Sequence, residues 1–423
     1  MENKTMKFVV FSLGCRVNQY EGQSMVKKLI EHGYQATDRL EYADAYIINT
    51  CSVTSEADKK SRQAVARVKK LNANAKVYIL GCSSQNNSKP FSEKDGVILV
   101  GGVADKMQFV TKIIDTLSGK CDKTVEIAPL PTVYEDDFSP SLTNSRAYIK
   151  VQDGCNNFCS YCIIPYLRGR SRSRSLDSVY NEAKELIGKT RELVITGINV
   201  SAYGKDIGLT LVDLINRLAD IPMRKRFGSL ECTVINDEML QAMVNSGFCG
   251  SFHLSMQSGC DSVLKKMNRH YTSSEFLAIV ELIRKYYPDA GITTDVIAGF
   301  PEESEDEFLQ TLETCKSAGF LHMHVFPYSE REGTKASKMQ QVDKAVRVER
   351  ANRLIVLSEK MKTTFLSSQV GAVHEVFIEE KEGDYNVGYT DNFIKVYSTA
   401  PIGSCLKHTI TEIYGEGVKG EIL

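Results

Sequence analysis

The chain has 423 residues, with 52 Lys+Arg against 53 Asp+Glu and a net charge of -1; at roughly 150 residues per domain it holds two or three domains. A protein that grips nucleic acid by bulk charge is strongly basic, so any RNA contact here is a local patch. With 42% hydrophobic and 25% charged residues, the composition is that of a folded globular protein and excludes a disordered chain or a coiled coil.

Met1 to Lys7 leads only into a short apolar run, Phe8–Leu13. That run is too short for a secretory signal, and no stretch reaches the ~18 apolar residues of a membrane helix. The expectation is a cytoplasmic protein with no membrane contact. Disulfides are rare in that compartment, so twelve cysteines point to metal binding or catalysis.

Residues 1–118 alternate strand and helix. Short β-rich runs fall at Phe8–Leu13, Ala45–Thr50, Lys76–Gly81 and Val97–Val100, with helical stretches at Tyr20–His32 and Glu56–Leu71. This order predicts an open parallel α/β sheet. Cys15, Cys51 and Cys82 each sit just after a predicted strand. Strand C-termini share one edge of such a sheet, and ligands bind there, so the three thiols converge. Scattered structural thiols would fall within strands instead.

Residues 119–144 carry Pro129, Pro131, Pro140 and the cluster Glu135-Asp136-Asp137 without periodicity, and read as a linker. Residues 145–367 resume the alternation, with strands near Ala147–Val151, Leu193–Gly197, Phe227–Cys232, Phe252–Gln257, Thr293–Gly299 and His322–Phe326. Six are too few for an eight-fold barrel, so a partial (βα)6 barrel is expected, closed by a helix over Val342–Phe365. Residues 368–423 show short alternating runs separated by glycines and predict a small all-β, OB-like module. No repeat or low-complexity tract is present.

The strongest local signal is Cys155-Asn-Asn-Phe-Cys159-Ser-Tyr-Cys162, a C-x3-C-x2-C run directly after a predicted strand. Structural zinc takes four ligands, usually in two separated pairs. Three thiolates can hold three irons of a 4Fe–4S cluster and leave the fourth open to a substrate or cofactor. Tyr161, between two of the cysteines, would lie against that cofactor.

A C-x3-C-x2-C run at the first strand of a partial barrel resembles the radical S-adenosylmethionine superfamily. The resemblance implies that the open iron chelates S-adenosylmethionine and that reductive cleavage releases a 5′-deoxyadenosyl radical, with the protein supplying binding and orientation. Ser12-Leu-Gly-Cys-Arg-Val-Asn-Gln-Tyr-Glu21, Asn49-Thr-Cys-Ser-Val53, Ile163-Ile-Pro165 and Leu254-Ser-Met-Gln-Ser-Gly259 extend the match over nearly the whole chain. They resemble the methylthiotransferase family of that superfamily, whose last part is a TRAM RNA-binding domain. By that resemblance Cys15, Cys51 and Cys82 hold a second 4Fe–4S cluster that carries or delivers sulfur. S-adenosylmethionine serves both as methyl donor and as radical source. No side chain acts as a catalytic acid or base.

Three branches of the family are relevant. Two act on adenosine at position 37 of tRNA, in its isopentenyl or its threonylcarbamoyl form, and one on an aspartate of a ribosomal protein. Gly14–Glu21, Ala57-Asp-Lys-Lys-Ser-Arg-Gln63, Arg168-Gly-Arg-Ser-Arg-Ser-Arg174 and Val325-Phe-Pro-Tyr-Ser329 look like the threonylcarbamoyl branch. The expected reaction is methylthiolation of C2 of threonylcarbamoyladenosine in tRNA, with a sulfur donor and a reductant that the sequence does not identify. The other two branches, and a non-enzymatic iron–sulfur RNA-binding sensor, are the alternatives. A sensor needs no vacant iron beside a cofactor pocket.

Arg168, Arg170, Arg172 and Arg174 alternate along an extended segment and are expected to share one face, positioned for phosphate or carboxylate. Cofactor contacts are expected at polar strand ends, where barrels place their sites: Thr196, Gly197 and Asn199 after the second barrel strand, Glu231 after the third, and Ser255 with Gln257 after the fourth. Cys121, Cys232, Cys249, Cys260, Cys315 and Cys405 match no motif and read as ordinary thiols. The module from Ser368 onward holds four Lys and nine Asp+Glu, a net of 4 − 9 = −5. Its expected RNA contacts are therefore Tyr389, Asn392, Phe393, Lys395 and Tyr397 rather than bulk charge.

Overall fold

A computed structural model describes residues 5–117, 124–138 and 145–423; Cys121 and Pro140 lie outside them. In the first part, strands β1 (Lys7–Ser12), β2 (Gln35–Thr37), β3 (Ala45–Thr50), β4 (Lys76–Gly81), β5 (Val97–Gly101) and β6 (Thr124–Glu126) form one parallel sheet in the order β2-β1-β3-β4-β5-β6. Helices α1 (Arg16–Glu31), α2 (Ser55–Leu71), α3 (Cys82–Asn86), α4 (Lys89–Ser92) and α5 (Lys106–Leu117) cover it. All six residues of β3 are buried: Ala45 and Ile47 pack toward Met25 and Leu29 of α1, while Tyr46 and Ile48 pack toward Val65 and Val68 of α2. A strand covered on both faces reads as a continuous apolar run. Thr54 caps α2 through the Ala57 N–H, and its first turn carries Glu56 and Asp58 against Lys69 and Lys70 in the last, the polarity a helix dipole favours.

Two sequence expectations change here. Helix α1 starts at Arg16 rather than Tyr20, because Cys15 occupies the N-cap with no side-chain hydrogen bond and gives no capping signal. Part of the segment read as a linker supplies β6, and its Phe138 packs into the core beside Tyr20.

The central part contains β7 (Arg146–Asp153), α6 (Ile164–Arg168), β8 (Arg172–Ser173), α7 (Leu176–Glu185), β9 (Glu192–Gly197), α8 (Leu211–Arg217), β10 (Arg224–Phe227), β11 (Ser229–Leu230), α9 (Asp237–Asn245), β12 (Ser251–Gln257), α10 (Asp261–Lys266), α11 (Ser273–Tyr286), β13 (Gly291–Ala298), α12 (Glu305–Ala318), β14 (His322–Pro327) and α13 (Lys344–Ser368). The parallel strands follow chain order as β7-β9-β10 and β11-β12-β13-β14. The expected third strand is split at Gly228, so that β10 pairs β9 and β11 pairs β12. The wall is thus six strands long, as a partial barrel requires, with β8 added antiparallel to β7. Thr272 with Glu275 and Ser304 with Glu307 form capping boxes on α11 and α12, which fixes where these helices begin.

The last part is a closed five-stranded barrel of β15 (Val373–Glu382), β16 (Tyr385–Tyr389), β17 (Lys395–Ser398), β18 (Cys405–Tyr414) and β19 (Gly417–Ile422), in the order β15-β16-β17-β19-β18. It docks on the central part through close backbone approach. A Cβ on Gly291 would lie 1.9 Å from the Asn392 carbonyl oxygen, and the Asn392 side-chain amide donates to the Asp289 carbonyl at 2.8 Å. Arg146 pairs with Glu379 at 2.6 Å. Asn392 is therefore buried, and Tyr389 and Phe393 stack on each other at 4.7 Å beneath Arg146 and Arg226. These three belong to the junction and are not presented as free platforms for unstacked bases. Among the described residues no helix is long and apolar enough to cross a membrane.

Gly291→Ala should undock the C-terminal barrel without unfolding the central part. The expected result is new proteolytic cleavage near residues 366–372 with the remainder still folded and resistant to the protease.

Candidate active site

The two cysteine triads form at the C-terminal edges of two parallel sheets. In the first, Cys15 caps α1, Cys51 follows β3 and Cys82 opens α3 directly after β4. The chain turns sharply at each. Gly14 has φ +87°, and a Cβ there would lie 2.3 Å from the Cys51 sulfur; Gly81 has φ +110° with the Thr50 backbone 2.6 Å from where its Cβ would be. Only glycine permits both the left-handed turn and the close approach. The Ser61 hydroxyl bridges the Cys51 N–H and C=O at 3.0 and 2.9 Å. The thiols lie close enough to interact: burial pushes Cys15 up, and pushes Cys51 up to about 11, with the neighbouring thiols adding to both.

In the second triad, Cys155, Cys159 and Cys162 lie on the loop between β7 and α6. Phe158 adopts φ 48° within it, and Asn268 holds the loop through the Asn157 and Phe158 carbonyls at 2.9 and 3.3 Å. Burial pushes Cys155 up and Cys162 up to about 12. Donors already face these sulfurs: the Asn157 N–H at 3.5 Å and the Asn199 amide at 3.6 Å on Cys155, and the Arg269 guanidinium at 3.5 Å on Cys159.

Both triads fit a 4Fe–4S cluster. Each supplies three thiols at a glycine-shaped strand end, with N–H donors aimed at sulfur, the kind of contact that tunes such clusters. Among the described residues no three Cys, His, Asp or Glu side chains close on a single ion; a cluster spreads its cysteines over separate irons and does not require that.

Between the triads lies a buried set of charges. Glu21 of α1, 1% exposed, meets Lys106, Lys150 at 2.8 Å and Arg168 at 3.2 Å. Asp153, at the end of β7, meets Lys150 at 2.7 Å, Arg168 at 3.1 Å and Arg172 at 3.2 Å. Arg168 further donates to Asn18 at 2.8 Å and, through Nε, to the Cys82 sulfur at 3.3 Å. Burial alone would raise the two carboxyls, but Arg168 and the lysines hold Glu21, and Lys150 and both arginines hold Asp153, well below the usual carboxylate range. Four bases against two carboxylates leave a positive surplus beside Cys15 and Cys82, complementary to a thiolate-bound cluster.

This geometry corrects the expectation for the arginine run. Arg168, Arg172 and Arg174 are buried; Arg174 pairs with Glu182 and, at 2.6 Å, with Asp136. Arg168 reaches Glu21 and Asn18 of the first part and Arg174 reaches Asp136, while Arg172 stays within the central part on Asp153 and the Arg168 carbonyl; none of the three has a face toward solvent. Only Arg170 is exposed, above the Phe158 ring at 4.6 Å.

The strand-end candidates divide. Glu231 bonds Asn157 of the cluster loop and pairs with Arg269 at 3.1 Å. Asn199 reaches Cys155, and the Ser255 carbonyl accepts from Arg269 at 3.2 Å and from the Tyr271 hydroxyl at 3.0 Å. These lie around the second triad. Gly197 packs against Gln152, and Thr196 is buried in the wall. Gln257 holds the left-handed φ of 66°. Tyr161 sets its ring edge-on to Phe300 at 6.5 Å. Asn157, Asn268 and Arg269 escaped the sequence reading; a charged residue just past a helix end carries no signal for the sulfur it reaches.

Comparisons agree with this architecture. Residues 149–315 match the radical SAM superfamily and residues 7–102 an uncharacterized protein family, UPF0004. The chain is similar to a radical S-adenosylmethionine methyltransferase, TsrM, from Kitasatospora setae, with TM-score 0.59 and 13% identity over 79% of this chain and 77% of that one, a likeness of fold alone. It is 37% identical to a threonylcarbamoyladenosine tRNA methylthiotransferase of Bacillus subtilis, over 91% of this chain and 88% of the relative, and 36% identical to one of Chlamydia pneumoniae over 98% of each. It is 35% identical to a tRNA-2-methylthio-N(6)-dimethylallyladenosine synthase of a Thermoanaerobacter species, over 89% of this chain and 83% of the relative. Fold and paired triads define a two-cluster radical S-adenosylmethionine enzyme. The chain belongs to the methylthiotransferase family.

Arg168→Met removes one partner from buried Glu21 and Asp153. It should cost about 3–5 kcal/mol, the usual effect of breaking a buried ion pair, read by urea unfolding of the apoprotein. Arg170→Met, losing one exposed cation–π contact, should cost under about 1 kcal/mol.

Proposed function

We propose that this protein methylthiolates C2 of threonylcarbamoyladenosine at position 37 of tRNA, in the cytoplasm. Two 4Fe–4S clusters and S-adenosylmethionine are its cofactors. The observation that carries the reading is the presence in one chain of two three-cysteine sites, one at each sheet edge, joined by Arg168. Threonylcarbamoyl-specific names among the relatives support the branch. Cys155, Cys159 and Cys162 would hold the cluster that binds S-adenosylmethionine, and Cys15, Cys51 and Cys82 the cluster that handles sulfur.

Bound there, the clusters and S-adenosylmethionine supply the radical, the methyl group and the sulfur path. The chain's own residues do the positioning. Arg269 ties Cys159 to Glu231 and to the Ser255 carbonyl, so the cysteine loop and two barrel strands move as one body. Asn199, with its N–H on Gln152 at 2.7 Å, brings the second strand to the same sulfur group. Glu231, neutralised by Arg269, offers its remaining acceptor positions to a cationic amine such as that of S-adenosylmethionine. The buried walls exclude water, which protects a radical from quenching. The C-terminal barrel keeps an RNA-binding role, with Tyr385, Tyr397 and Tyr414 clustered within 6.1 Å of one another beside Lys419.

Anaerobic reconstitution should give about eight irons per chain, and replacing Cys155, Cys159 and Cys162 together by Ala about four; a triple variant that kept all its iron would overturn the assignment. Variants of Cys15, Cys51 or Cys82 should still cleave S-adenosylmethionine under reducing conditions yet form no methylthio product. Nucleoside mass spectrometry of tRNA from a deletion strain decides the branch: the methylthio mark on threonylcarbamoyladenosine disappears and that on isopentenyladenosine persists.

A further inference from the structure

A cavity of about 420 Å³ opens where all three parts of the chain meet. Its floor and walls include Arg226, His253, His322 and His324 of the barrel strands and Lys362 of α13, with Tyr389 and Phe393 of the C-terminal barrel at one side. Residues 251, 253 and 255 alternate on the same face of β12, opposite the buried Phe252, Leu254 and Met256; the cavity is therefore the lumen of the partial barrel. His253 stands about 7 Å, one side-chain repeat, below Ser255, whose carbonyl holds Arg269 on Cys159. Arg16 of α1 lines the lumen from the first part of the chain. It directly follows Cys15 of the other triad. The lumen thus touches the helix capped by Cys15 and the strand whose Ser255 carbonyl holds Arg269 on Cys159.

Its charges are unevenly committed. Arg226 pairs with Glu192 at 2.6 Å, and Lys362 and Lys395 with Glu416 and Glu382. His253 uses both ring nitrogens, on Thr293 at 2.9 Å and Asp295 at 3.2 Å. Arg16 has no carboxylate partner among the described residues; only the Tyr148 ring lies under its guanidinium, at 5.8 Å. An uncommitted guanidinium at the rim of a cavity sized for a modified nucleobase is a fork waiting for an anion.

We infer that this lumen receives the target base and that Arg16 binds a carboxylate carried on its N6 substituent. The inference rests on the threonylcarbamoyl reading above and adds the residue that discriminates. Arg226, Lys362 and Lys395 already have carboxylate partners, so a carboxylate entering the lumen meets Arg16 as its open partner, and one bidentate pair replaces its water. A neutral alkyl substituent would leave that guanidinium without a partner.

The test uses the full chain with its clusters reconstituted anaerobically, at fixed salt. Affinity is measured by fluorescence anisotropy for three anticodon stem–loop RNAs: one with threonylcarbamoyladenosine, one with the methyl ester of its carboxylate, and one with unmodified adenosine. The wild type should prefer the free carboxylate over the ester by about tenfold or more, the effect of one charge-assisted hydrogen bond. Arg16→Gln should reduce that ratio to within about twofold. Ratios are taken within each variant, so a change in folding or cluster loading cancels. An undiminished preference in Arg16→Gln, or equal weakening of all three RNAs with the ratio retained, overturns the assignment and leaves the branch intact. A wild type that binds the threonylcarbamoyl RNA no better than the unmodified one overturns the branch itself.

Discussion

Everything about the paired sites depends on one buried guanidinium. Arg168, at the end of the helix that follows the cysteine loop, reaches into the first part of the chain and satisfies Glu21, Asp153, Asn18 and the Cys82 sulfur together. Burying six charged groups costs several kcal/mol each unless every one is paired. An incomplete version of this network is therefore worse than none, and its geometry is all or nothing. That property fixes the position of α1 against β7. Because Cys15 caps α1 and Cys155 follows β7, it also fixes one cluster site relative to the other.

The same logic explains the acidic C-terminal barrel. A net of −5 looks unsuited to RNA until its partner surface is considered. Arg146, Arg224 and Arg226 on the barrel wall share Glu192, so the wall keeps a surplus of cations. Glu379 pairs with one of them, and Asp391 feels Arg224. Part of the negative charge of the module is therefore turned inward as docking complementarity.

Much of this was legible in the sequence, because it is local. The strand-end cysteines and the β-rich run of β3 are set by neighbours a few residues away. What was not legible is long-range. Alternation along Arg168–Arg174 identifies residues that share a face but not whether that face meets solvent or another part of the chain. The acidic residues that bury it, Glu21, Asp136 and Glu182, come from three other segments. The late start assigned to α1 has a related cause: a cysteine cap carries no hydrogen-bonding signature, since its thiol is reserved for other chemistry. At the split of the third barrel strand, Phe227 and Leu230, three residues apart, pack into the same core; a run this short carries too few repeats for that shift of alternation at Gly228 to register.

Cys15 and Arg16 are adjacent residues on the first turn of one helix, one directed to a cluster site and the next to the lumen. On the roles proposed above, sulfur handling and substrate choice are encoded in a single dipeptide, outside the barrel that performs the radical chemistry. A chimaera that exchanged only the barrels of two relatives would keep the base preference of whichever parent donated the first helix. Divergence of substrate range in such a scaffold can proceed by changes at the first turn of that helix, without disturbing the barrel wall.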